Sequence, residues 1–184
     1  MGYIEIPTID CYLPIYHGTD EDTLKKGIGH IEQTSFPIGG DTTHSVLTGH
    51  TGLPEAELFT RLDEMEIGDI FYIHILDEVL AYKVYGIKII EPEDVSDIVI
   101  ENNRDLVTLL TCTPYGINTH RLLVMGERTE LTEETTDELS TSTINSSLTS
   151  NTKSYIIGII IGLLIILIIL IVLKKNNLKR DKEE

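Results

Sequence analysis

Between residues 1 and 128 apolar positions come in short alternating bursts rather than at every third or fourth residue. Runs rich in β-branched and aromatic residues occur at Tyr3–Ile6, Cys11–Ile15, His44–Thr48, Ile70–Leu76, Val79–Ile90, Leu106–Thr111 and Arg121–Arg128, each bounded by Gly, Pro, Asp or Asn. Several short strands punctuated by turns predict a mainly β domain, closed or nearly closed into a barrel with short helices. One stretch departs from this pattern. Pro54 suits a first helical turn, Glu55 and Glu57 suit the positive end of a helix, and Leu58, Leu62 and Met65 recur at helical spacing, so a helix is expected there, ending before Gly68. A further helical turn is expected near Asp20–Thr23, and Pro92–Asp97 reads as loop. No internal repeat is visible.

The pattern changes twice more. Residues 129–154 are rich in Thr, Ser and Glu with few large apolar groups, so they cannot bury enough surface to offset the entropy of ordering and read as a disordered, solvated linker. Tyr155–Leu173 are 19 residues without a charge. At helical rise they cover about 28 Å, the length of a membrane-spanning helix. Gly158 and Gly162 give it a small-xxx-small spacing that suits contact with another helix. The expected domains are therefore 1–128, 129–154, 155–173 and a basic tail, 174–184.

Charge orients this arrangement. Residues 1–153 hold 27 acidic and 9 basic side chains, whereas the tail holds 5 basic and 3 acidic. Lys174, Lys175, Lys179, Arg180 and Lys182 come after the apolar run, with only Lys153 just before it, so the tail is expected in the cytoplasm and residues 1–153 outside. So acidic an outer domain is unsuited to nucleic acid, because phosphate contacts need Lys and Arg.

The candidate chemistry lies in Thr108-Leu109-Leu110-Thr111-Cys112 and the hairpin turn after it. Cys112 ends an apolar run, and Arg121 starts the next strand nine residues later, across a turn containing Pro114, Gly116 and Asn118. That spacing is a hairpin, so thiol and guanidinium can lie side by side. The cation can then favour thiolate or hold a carbonyl under attack. A proton carrier is still needed, and His50 in Thr48-Gly49-His50-Thr51-Gly52 is the best candidate. Alternation along the strand turns His120 away from the face that carries Arg121. His17, His30, His44, His74 and His120 read as surface or packing residues.

Residues 108–112 match the sortase signature TLxTC, and the continuation through Val124 resembles the class C, pilin-polymerising branch of that family. Gly2–Pro7, Leu13–Thr19, His44–His50 and Gly52-Leu53-Pro54 resemble family segments too, so the likeness covers residues 2–128. It implies a sortase-type closed β-barrel and a cysteine transpeptidase. In that reading Cys112 attacks the Thr carbonyl of an LPxTG-like sorting signal, and His50 carries protons. Arg121 stabilises the charge that develops on the carbonyl oxygen. The acyl group passes to a lysine amine of a pilin subunit. Two alternatives stand beside this: a sortase anchoring proteins to peptidoglycan, and an inactive membrane-tethered module that binds sorting peptides.

Class C sortases also carry an amino-terminal hydrophobic segment and a lid before the point that matches Met1, so the authentic start is expected upstream. No cofactor is expected, because CxxC, HExxH and calcium-loop spacings are absent and Glu91, Glu93, Asp94 and Asp97 read as a solvated face. Cys11 and Cys112 permit a disulfide in an exported chain, but Cys112 is expected as a free thiol.

Overall fold

The computed structural model describes residues 1–52 and 57–131. Among these, eight strands close into a barrel: β1 (Gly2–Ile6), β2 (Cys11–His17), β3 (Ile28–His30), β4 (Thr43–Thr48), β5 (Ile70–Ile75), β6 (Glu78–Ile90), β7 (Asp105–Thr113) and β8 (His120–Thr129). Around the barrel the order is β1-β2-β3-β4-β7-β8-β6-β5, with β5 returning to β1. Two neighbouring pairs are parallel, β2 with β3 and β4 with β7, and the rest are antiparallel.

Period-two alternation sorts the side chains. Ile4, Ile6, Ile15, Leu47, Phe71, Ile73, Leu80, Tyr82, Val107, Leu109, Leu122 and Val124 meet in one interior core. Each such buried side chain stabilises the fold by about 1.5–3 kcal/mol relative to exposure. A bulge between Val84 and Gly86 inserts Tyr85 and resets the alternation of β6, so that Val84 and Ile87 both join the interior. On the outer face Ile90, Leu110, Leu123 and Met125 form a second, smaller cluster. Met125 is 4% exposed and Leu123 fully buried although both point away from the core. Tyr82 lays its hydroxyl 3.0 Å from Asp105, and burial beside that carboxylate pushes the phenol pKa up.

Each predicted strand is present, with differences at the ends. The run expected to continue to Leu76 stops at Ile75, because Leu76 takes φ +53 in the two-residue turn to β6 and is solvent-exposed. β8 continues to Thr129, one residue past the expected domain boundary. β3 is additional to the expected strands. Three residues with a central glycine carry no alternation to read, and they become a strand because β2 and β4 offer edges on both sides. The expected helix over Pro54–Met65 needs correcting. Residues 53–56 lie outside the described residues, and residues 58–60 form turns followed by a 3-10 turn at Leu62–Glu64. The amide of Phe59 donates to the His50 carbonyl at 3.0 Å, so the backbone there is tied to the barrel rather than to its own preceding turn. The turn expected near Asp20 is α1 (Glu21–Leu24), capped by the Asp20 carboxylate accepting from the Thr23 amide at 3.1 Å. From residue 132 onward the linker, together with the apolar run and the tail, lies outside the described residues. Among the described residues no helix is long and apolar enough to cross a membrane.

Candidate active site

β4 and β7 run parallel in a register that pairs Thr48 with Leu110. The ladder continues one step beyond β4, since the Gly49 amide donates to the Leu110 carbonyl at 3.1 Å. A side chain then closes the junction: Thr111 Oγ1 donates to the Gly49 carbonyl at 2.7 Å. His50 and Cys112 therefore leave adjacent strands at the same end of the barrel. Across the antiparallel ladder on the other side of β7, Cys112 lies directly opposite Arg121 and Thr113 opposite His120. Since 107 and 109 on β7 and 122 and 124 on β8 face the core, Cys112 and Arg121 share the outer face. All three residues are half-buried.

Close packing shapes the loop that carries His50. A Cβ on Gly49 would stand 2.6 Å from the Ile28 methyl and 3.0 Å from the Phe59 ring, so only glycine lets the chain leave β4 so close to the core. Gly52 has φ +75, and the ring of Tyr115 from the β7–β8 turn lies where a Cβ would meet it at 3.1 Å. The Gly52 amide donates to Thr60 Oγ1 at 3.0 Å. The loops that hold the imidazole and the thiol thus touch through Tyr115.

Partners separate the six histidines. His17 Nδ1 meets His30 Nδ1 at 3.2 Å, and His30 Nε2 meets the Ser35 carbonyl at 3.0 Å. His44 bonds the Val99 carbonyl and Thr108, His74 the Glu5 carboxylate, and His120 contacts Glu91 at 3.3 Å. Burial lowers the pKa of His30, His44 and His74. Among the described residues the His50 ring has no hydrogen-bond partner, and it lies close enough to α1 that the Glu21 carboxyl, lowered chiefly by its hydrogen bond with Lys25, is lowered further by His50. Nothing in the local sequence pattern marks Glu21. Arg121 donates from Nη1 to the carbonyls of Asn118, at 3.3 Å, and His120, at 3.0 Å. Among the described residues no carboxylate neutralises it, so its remaining N–H groups are suited to an oxygen that gains negative charge.

Both cysteines are free. Cys11 sits in the interior core, where burial, with Asp10 adding, pushes its thiol up to about 12. It faces away from the outer face that holds Cys112, so the two are not paired. Among the described residues no three of His, Cys, Asp and Glu gather as metal ligands.

The half-buried Cys112 thus stands opposite Arg121 in the β7–β8 ladder, at the end of the closed barrel where the His50 loop joins β7. The sortase domain model matches residues 4–129, and the chain belongs to the sortase family, whose members are cysteine transpeptidases. It is 32% identical over 130 residues to sortase D of Bacillus subtilis, spanning 69% of this chain and 63% of that relative's length. Among solved structures it is similar to sortase C-1 from Streptococcus pneumoniae, at 55% identity and TM-score 0.70, covering 72% of this chain and 68% of that one. A second Streptococcus pneumoniae sortase C structure, whose subject includes pilin substrate specificity, matches at 56% identity and TM-score 0.70, covering 71% and 68%. The chain thus spans less than two thirds of the length of its curated relative.

Proposed function

We propose that the chain is a class C transpeptidase that joins pilin subunits. Cys112 is the nucleophile. Its thiolate attacks the Thr carbonyl of an LPxTG-like signal, and the oxygen gains charge against the Arg121 guanidinium. The amide bond to Gly breaks, the Gly amine leaves with a proton from the His50 imidazolium, and a thioester remains on Cys112. A pilin lysine amine then attacks the thioester, His50 takes its proton, and an isopeptide bond replaces the amide. One amide is exchanged for another, so no external energy source is needed.

The observation that carries this reading is the register pairing Cys112 with Arg121, together with the Thr111–Gly49 bond that joins the His50 loop to the same strand. Pilin as substrate is supported by the resemblance to sortases C, one of them characterised for its pilin specificity. The apolar run over 155–173 anchors the enzyme as a single-pass protein, with the barrel outside the cell membrane and the tail in the cytoplasm. Anchoring raises the effective concentration of site and membrane-retained substrates.

The test is intact-mass spectrometry of the full chain with an LPxTG peptide. The expected result is an added acyl mass on Cys112 that is discharged by a pilin-derived lysine peptide in preference to a wall-precursor amine. An unmodified Cys112 overturns the mechanism. Preferential discharge by the wall amine replaces pilin joining with wall anchoring.

A further inference from the structure

His44 stands on the outer face of β4, whose positions 44, 46 and 48 lie beside 106, 108 and 110 of β7. It is 2% exposed and Thr108 is fully buried, although both point away from the core. The connection between β6 and β7, residues 91–104, accounts for that burial: the Val99 carbonyl lies 2.8 Å from His44 Nδ1, and Thr108 Oγ1 lies 2.8 Å from His44 Nε2. A carbonyl only accepts, so Nδ1 carries the proton. Nε2 of the neutral ring then receives the Thr108 hydroxyl proton. Both edges of the ring are used, and the ring bridges residues 55 and 64 positions away in the chain. The backbone beneath is equally fixed, because the His44 amide donates to Ser35 Oγ at 3.1 Å and its carbonyl accepts from the Ser35 amide at 3.0 Å.

The connection is held at its margins by His120 with Glu91 and Arg104 with Glu101, and Lys88 pairs with Asp97. Two contacts therefore hold its middle to the sheet: the solvent-facing pair of Lys88 with Asp97 from β6, and the buried His44 ring at Val99 from β4. The same outer face opens progressively toward the other end. Thr108 is buried, whereas Leu110 and Cys112, two and four residues on, are half-buried. The geometry points to His44 as a positioning residue: with Thr108 it clamps the β6–β7 connection as the wall of the groove that leads a peptide to Cys112. This role rests on the transpeptidase reading. It also supplies a physical reason for Thr108 in the signature, just as the bond to Gly49 supplies one for Thr111.

The experiment measures kcat and KM of the full chain on an LPxTG peptide, alkylation of Cys112 by iodoacetamide, and hydrogen exchange of residues 95–100. His44→Phe keeps a ring of similar size and removes both bonds. It is expected to raise KM about tenfold, the effect of losing one well-formed hydrogen bond, with kcat within about threefold. Alkylation should be unchanged and exchange in the connection faster. His44→Asn retains a donor for Val99 and should recover most of the KM. Thr108→Val preserves shape, removes the hydroxyl, and decides the matter if His44→Phe fails to fold; it should raise KM in the same direction. Folded variants with unchanged KM and unchanged exchange overturn the clamp. So does loss of kcat together with alkylation, which marks a general structural role. Failure of the parent enzyme to acylate instead removes the transpeptidase reading, and the exchange measurement still reports whether His44 holds the connection.

Discussion

Two regions of the barrel treat the same residue types in opposite ways. At the C-terminal ends of β2 and β3, His17 and His30 meet nitrogen to nitrogen, with their ring centroids 5.4 Å apart. Phe36 lies nearly parallel to both, at 5.5 and 5.2 Å, and His30 is fully buried. Beside the start of β4, Arg104 is held by Glu101 and Glu127. Where the His50 loop leaves β4, Arg121 reaches only carbonyls, and His50 and Cys112 remain half-buried with no side-chain hydrogen bond among the described residues. A histidine or arginine whose bonding capacity is filled stabilises its own surroundings. One left short of partners can exchange a proton or receive an oxyanion, so the difference in satisfaction supports the proposed site more sharply than residue type does.

The strongest way to break this comparison is Cys112→Ala. Thioester formation and turnover should fall to background, a loss of at least about 10³-fold, with an unchanged melting temperature. Peptide transfer that survives the substitution sinks the assignment. Next, His50→Ala should lower kcat by about 10²–10⁴-fold. Arg121→Lys, which keeps the charge and loses the planar fork, should lower it by about 10²-fold. The same change in the satisfied region, Arg104→Lys, should leave kcat alone.

A stability effect comes third. Phe59 is fully buried, its ring lies against Gly49, and its amide holds the His50 carbonyl. Phe59→Ala should cost about 3–5 kcal/mol by denaturant unfolding and lower kcat in the protein that remains folded. The satisfied histidines then make a smaller prediction about pH. Burial holds His30, His44 and His74 below the usual value of 6.5, so on acidification through 6.5 the unfolded chain binds protons before the folded one does. Their contribution is fully present above pH 6.5 and is lost as pH falls toward their folded values. The denaturation midpoint should therefore be lower at pH 5.5 than at 7.5, and a midpoint that does not move contradicts the buried, neutral state of these rings. The smallest effect is Tyr82→Phe, which removes the bond to Asp105 and should cost about 1 kcal/mol with activity intact.

Much of the site is legible in the sequence because its determinants are local. Cys112 and Arg121 are separated by one short turn, so hairpin register alone sets them opposite each other, and alternation alone turns His120 aside. Strands with β-branched alternation are equally readable. The helix expected over 54–65 gives way because its local signals compete with a bond from Phe59 to His50 and with core contacts of Phe59 and Leu62, which no spacing rule contains.

The chain's own order of residues was enough to establish a set of short β-strands, a hairpin that pairs Cys112 with Arg121, and a histidine in a glycine-flanked turn, because each depends on neighbours within about ten residues. Tertiary structure alone decided that three residues around Gly29 become a strand, that His44 reaches Val99 and Thr108, and which of the six histidines keeps its ring unbonded among the described residues. Those outcomes depend on which distant backbone edges and side chains arrive at the same place, and closing the barrel is what brings them there.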